Sequence, residues 1–231
     1  MERFDNIIER AIQRKGNEQV VMSYVGTPLS NQAIAQITDD RFLAAFTKKV
    51  FQSGFVWRVV ENKWPNFEEC FFAFEIEKIL MMPAELLEKK AADPKIIRNG
   101  KKVQSIYENA LMIHDVQIEY GHSFSQFIAD WPESDRVGLW GYLKKHGCRL
   151  GGNTGPYALR ALGIDTFLLT QDVEAYFRAN KLIEGGATSK RSLQQIQQGF
   201  NEWRDETGLS YQALSQILAM SVGDNRIAIA E

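Results

Sequence analysis

Cysteine is scarce in this chain. Two occur in 231 residues, Cys70 and Cys148. Two thiolates cannot supply the four sulfur ligands of an iron–sulfur cluster. They also argue against a disulfide scaffold and point to a reducing cytoplasm. Histidine is nearly as rare. His114, His122 and His146 are the three, and none is spaced with a cysteine as a zinc finger requires. No metal and no cofactor are therefore expected. Long apolar runs are missing too: nothing approaches the roughly 18 residues a spanning helix needs, so no membrane is expected as a partner. The first residues, MERFDNIIERAIQRKGNE, mix both charges and lack the apolar core of a signal peptide. An excess of charge of one sign is also absent, the formal net charge being −2. That counts mildly against a nucleic-acid binder, which usually shows a basic face. Three local basic runs stand against it, at 48–58, 95–102 and 143–149. Each alone reads equally well as a solvated helix end.

What is present is helical pattern and apolar bulk. Hydrophobic residues make up 45% of the chain, enough for a core in one domain or two small lobes. Phe4, Ile7, Ile8, Ala11 and Ile12 form one helical face. A helix is expected from Thr38, with Asp39 and Asp40 in its first turn, running toward Ser53-Gly54. Trp57, Val60 and Trp64 then predict a helix ending near Pro65, followed by a short aromatic helix over 67–72. Pro83 opens a further helix, and Ile96 to Met112 reads as a long one. Ser123 caps a short helix to Ala129. Helices are expected over 135–146, 154–162 and 172–179. After Gly185-Gly186 come a Gln-rich amphipathic helix, ended by Gly208, and a last helix from Ser210. Strand-like alternation is absent, so the fold class is all-α. We expect two helical lobes with a DNA-binding cleft: a terminal lobe of 1–75 plus 175–231, and a second lobe of 76–174.

The stretch YLKKHGCRLGGNTGPYALRALGIDTFLLTQD, residues 142–172, is the most specific part of the chain. A basic helix end meets a Gly-rich turn, a second helix follows, and an aspartate closes the run. It resembles the helix-hairpin-helix element of DNA-binding proteins, in which amides at the second helix's start hold a phosphate. A plain turn between two helices is the alternative. Gly151, Gly152, Asn153 and Thr154 would supply the phosphate grip, and Lys144, Lys145 and Arg149 the salt-dependent attraction. Asp172 stands 20 positions after Gly152 (172 − 152). Endonuclease III-like members of the helix-hairpin-helix DNA glycosylases carry their catalytic aspartate at that spacing.

Two further blocks are similar to 3-methyladenine DNA glycosylase I: SGFVWRVVENKWPNFEECF at 53–71 and IIRNGKKVQSIYENA at 96–110. With LKKHGCRLGGNTGPYALRALG at 143–163 they make three ordered blocks, covering roughly residues 40–165. The resemblance implies a DNA glycosylase that starts base-excision repair on a 3-methyladenine-like or otherwise damaged base. It implies a cytoplasmic, nucleoid-associated monomer acting on double-stranded DNA. Three departures matter. The family's zinc ligands near both termini are missing. Where the family has a glutamate eight residues before its pocket tryptophan, this chain has Lys49 (57 − 49). The family also lacks an acid at the place of Asp172.

The implied chemistry is hydrolysis of an N-glycosidic bond through an oxocarbenium-like transition state, on a nucleotide flipped from the duplex. A carboxylate beside the sugar stabilises that charge and orients water, and Asp172 is the residue expected to do so. Its alternative role is a helix N-cap. Lyase members use a lysine two residues after the hairpin's last glycine. Here that residue is Thr154, so a monofunctional enzyme is implied. Trp57 matches the pocket tryptophan, although on pattern alone it reads as core. Lys49, Phe55 and Tyr157 are the other expected pocket residues. Gln52 and Ser53, in the bend before Trp57, are expected to fill the gap a flipped base leaves. The competing reading is a non-catalytic DNA-binding protein that has kept the hairpin and lost base excision. The segment SYQALSQILAMSVG at 210–223 has the cadence of a helix-turn-helix or partner-docking helix, or packs onto the body of the fold.

Overall fold

In a computed structural model, residues 1–222 are described. In chain order the helices are α1 (Phe4–Lys15), α2 (Glu18–Ser23), α3 (Asn31–Ala35), α4 (Asp39–Gln52), α5 (Trp57–Cys70), α6 (Ile76–Leu80), α7 (Ala84–Ala91) and α8 (Gly100–Tyr120). They continue with α9 (Phe124–Ala129), α10 (Arg136–His146), α11 (Thr154–Ala161), α12 (Gln171–Ala179), α13 (Lys190–Thr207) and α14 (Tyr211–Ser221). A single 3₁₀ turn lies at Phe72–Phe74. The described residues contain no strand, and the all-α expectation holds.

Most boundaries follow local chemistry. Ser123 Oγ accepts the Gln126 amide at the start of α9, and Ser210 Oγ accepts the Ala213 amide at the start of α14. Gly208 ends α13 in the left-handed region at φ 72°. The long central helix begins later than expected. Asn99 caps it by accepting the Lys102 amide at 3.1 Å, so 96–99 stay outside, and it runs on to Tyr120. Pro65 does not end α5, which continues to Cys70. The aromatic face carries across the proline: Trp64 stacks on Phe67, and Phe67 on Phe71, with centroids 5.4 and 6.2 Å apart. That continuous packing outweighs the one amide hydrogen bond proline removes. The short helices α2, α3 and α6 carry too few residues to show a period.

The chain forms two compact units. Unit 1 gathers Met1–Pro28, Glu133–Val137 and the described residues from Asp165 onward; unit 2 gathers Leu29–Pro132 and Gly138–Ile164. This division differs from the expected one in three places, the shortest being Glu133–Val137, which falls in unit 1. Residues 29–75 cluster with the central helices, not with the termini, because α4 packs on α8 and on α11. Asp172, expected with the hairpin, falls in unit 1. Residues 223–231 of the expected terminal lobe lie outside the described residues.

Unit 1 has an aromatic core. Phe167 stacks on Phe200 with centroids 4.3 Å apart, and Trp203 meets Phe4 and Phe177. The Trp203 indole N–H donates to the Glu2 carbonyl at 2.9 Å. Helix α14 lies against α1, and Leu214, Ile217 and Leu218 are buried. Asp165 accepts the Tyr211 and Gln212 amides at 3.1 and 2.8 Å, a second cap on α14. The 210–222 segment is thus part of the fold's core. Unit 2 is built around α4 and α8. Asp39, at the head of α4, accepts the Phe124 and Ser125 amides and the Gln117 side chain, which fixes α9 against both helices.

Candidate base pocket and hairpin

Unit 2 holds the Gly-rich turn and the residues Lys49, Phe55, Trp57 and Tyr157, expected to line a base pocket. The turn between α10 and α11 is close-packed. A methyl group on Gly155 would lie 2.7 Å from the Leu150 carbonyl oxygen, and one on Gly147 2.8 Å from that of Leu143. These glycines are there because backbone passes against backbone. Gly152 takes φ 60° and Arg149 φ 61°, the latter without a glycine's freedom. The turn is held from below by Asn109 of α8. Its fully buried amide donates to the Cys148 carbonyl at 3.1 Å and accepts the Cys148 amide at 2.8 Å. Burial, reinforced by Glu108, pushes the Cys148 thiol up to about 11, which keeps it unreactive.

Gly151, Gly152, Asn153 and Thr154, expected to grip a phosphate, lie at the turn. Gly152 and Asn153 are exposed, as are Lys144, Lys145 and Arg149. One correction applies. The Thr154 amide donates back to the Gly151 carbonyl at 3.3 Å, so it is not an open donor.

Helix α11 packs on α4, and this brings Tyr157 to Trp57. Their rings meet edge-on, centroids 6.0 Å apart at 84°. Trp57 opens α5 and is 51% exposed, so it is not a core tryptophan. Lys49, on the last turns of α4, sets its ammonium 4.8 Å from the centre of the Trp57 ring. That ammonium donates to Gln52 Oε1 at 2.9 Å. Gln52 Nε2 donates to Glu61 Oε1 at 2.8 Å, and Lys48 pairs with Glu61 Oε2 at 2.6 Å. Burial pushes the Lys49 ammonium's pKa down; Glu61 opposes the shift and Lys48 adds to it.

This network overturns one expectation. Gln52 is only 2% exposed and both ends of its amide are bonded within the protein, so it does not project as a gap filler. Ser53 is exposed, but the larger projecting groups are Phe55 and Val56, also exposed. Lys102 of α8 holds this bend by donating to the Phe51 and Ser53 carbonyls at 3.2 and 2.8 Å. Sequence reasoning missed Glu61, Lys48, Lys102 and Asn109. Only Glu61 had a visible signal, one helical turn after Trp57.

Asp172 is on the first turn of α12 and is half-buried. It is not the cap. Thr170 takes that role, its Oγ1 accepting the Val173 amide at 3.3 Å.

The fold is similar to that of known DNA glycosylases. Over 92% of this chain and 91% of the other, it is similar to the 8-oxoguanine DNA glycosylase of Methanocaldococcus jannaschii, with a TM-score of 0.56 at 14% identity. It is also similar to a variant of 3-methyladenine DNA glycosylase I solved with 3-methyladenine: TM-score 0.51, 23% identity, 66% of this chain and 89% of that one. The architecture is that of the all-helical DNA glycosylases. Residues 33–144 match the family model for methyladenine glycosylase. DNA-3-methyladenine glycosylase 1 of Escherichia coli strain K12 is 28% identical over 133 residues, covering 49% of this chain and 70% of the relative. The chain is thus similar, over its central part, to the type I 3-methyladenine DNA glycosylases.

Proposed function

We propose that this protein is a monofunctional DNA glycosylase of base-excision repair, hydrolysing the N-glycosidic bond of a damaged base in duplex DNA. The observation that carries this reading is the half-exposed Trp57 ring, set edge-on to Tyr157 within the unit that also carries the Gly-rich hairpin. An exposed aromatic face at the head of a helix suits a flipped base, which stacking holds by about 1–3 kcal/mol. The hairpin's exposed lysines and arginine suit phosphates. Phe55 and Val56, held out by the Lys102 tie, suit the space left in the stack better than Gln52 does.

Asp172 is our proposed catalytic carboxylate. Its support is the hairpin spacing, its partial exposure and its release from capping by Thr170. It would stabilise the oxocarbenium ion and orient the attacking water. Thr154 at the lyase position offers no amine, so strand cleavage is not part of the reaction.

The test is release of free base from alkylated DNA and from duplexes bearing single lesions, with wild type and Asp172→Asn. Release by wild type that drops at least tenfold in the variant fits the proposal. Equal release by both would remove Asp172 from the mechanism. Duplex binding with no release from any lesion would make this a non-catalytic DNA-binding protein.

A further inference from the structure

The network at Lys49 decides what kind of base the pocket accepts. One N–H of the Lys49 ammonium goes to Gln52 Oε1, and the charge lies over the Trp57 ring. An ammonium has three donors, so it keeps capacity for an incoming acceptor. The acceptors nearby are consumed. Gln52 Oε1 is taken by Lys49, and the two oxygens of Glu61 are taken by Gln52 and Lys48. This wall of the pocket therefore offers hydrogen-bond donors and positive charge. Two lysines against one glutamate leave it with a net positive charge.

A cationic N-alkylated purine fits such a wall poorly. Its attraction to a tryptophan face is a cation–π interaction, and Lys49 already occupies that face. Two like charges about 5 Å apart at a partly buried site repel by enough to cost roughly a hundredfold in occupancy. An uncharged base with a carbonyl edge has the complementary chemistry, since its oxygen can accept from the ammonium. We propose that Lys49 makes this a pocket for neutral, carbonyl-bearing damaged bases and a barrier to cationic alkylated ones. This rests on reading the Trp57 corner as the base pocket.

Two measurements separate the inference from the enzymatic reading. The first is calorimetric binding, at neutral pH, of 9-methylhypoxanthine, a neutral keto purine, and of 3,9-dimethyladenine, a cation at that pH, to wild type, Lys49→Gln and Lys49→Glu. Wild type should bind the neutral ligand at least ~10-fold more tightly. Lys49→Glu should reverse the order and Lys49→Gln fall between. A wild type that binds the cation as well or better would overturn the inference, as would binding of neither ligand, or an order indifferent to residue 49. The second is base release from duplexes carrying hypoxanthine or N3-alkylated adenine. If the binding order holds but neither duplex is processed, the Lys49 inference stands and the glycosylase reading falls.

Discussion

Trp57 is the residue on which the proposed pocket depends, and its exposure makes a sharp test. Removing a half-exposed ring costs little folding energy, so Trp57→Ala should leave the melting temperature within a few degrees of wild type. Loss of stacking should lower base release by at least ~10-fold while affinity for undamaged duplex stays level. A parallel fall in duplex affinity and melting temperature would make the ring structural. Lys49 adds a pH signature. Burial lowers its pKa below the ordinary lysine value of 10.5, so its charge is lost at a lower pH than a free lysine's. The groups facing it are Glu61 and Lys48, with the Trp57 and Tyr157 rings alongside. As pH rises through that lowered value, the repulsion fades. Discrimination against 3,9-dimethyladenine should therefore weaken more steeply with rising pH in wild type than in Lys49→Gln, whose residual slope reports the ligands' own titration. Among these residues, Trp57 and Lys49 were singled out in the sequence by the spacing of their block, and the structure does set their side chains together. Gln52 was misread because a polar residue at a helix end ordinarily points to water. Its burial depends on Glu61, nine positions on, and on how α5 folds back beside α4.

At the scale of elements, the hairpin is a strained turn braced by another helix. Asn109→Ala would leave the buried Cys148 amide and carbonyl without their partners, at a cost of about 2–3 kcal/mol. Thermal denaturation should show the loss, and duplex affinity should fall with it as the turn loosens. Arg149 separates geometry from charge. It occupies φ 61°, which costs a residue with a side chain about 1 kcal/mol relative to glycine. Arg149→Gly should therefore raise the melting temperature or leave it unchanged, yet weaken duplex binding and reduce its salt slope by about one. An unchanged slope would show that Arg149 makes no phosphate contact. Helix ends were readable wherever a serine or glycine set them, as at Ser123, Ser210 and Gly208. The passage of α5 through Pro65 was not readable, because the stacked Trp64, Phe67 and Phe71 rings outweigh the proline only once they have packed.

For the whole molecule, the two units rest on different parts of the chain. Unit 1 joins Met1–Pro28, the short stretch Glu133–Val137 and the described residues from Asp165 onward, whereas unit 2 is nearly continuous. Deleting residues from Tyr211 onward removes α14 and uncovers the buried Phe4, Ile7 and Ala11 face of α1. Protease mapping of the shortened protein should show cleavage through α1, α12 and α13 with α4 and α8 still protected. Protection of α1 at the wild-type level would mean that α14 does not complete that core. The all-helical class was legible from periodicity, but this division was not, since it depends on which distant faces meet. The same pairing of α1 with α14 sets a timetable during synthesis. At ~5–20 residues per second, α1 leaves the ribosome roughly 10–40 s before its partner exists. Through that interval Phe4, Ile7 and Ala11 are an unsatisfied apolar stripe on a nascent chain, while the residues of unit 2 are already complete. A helix made so long before its partner is among the last to find its place, and a chaperone that shields such stripes would have a long engagement there.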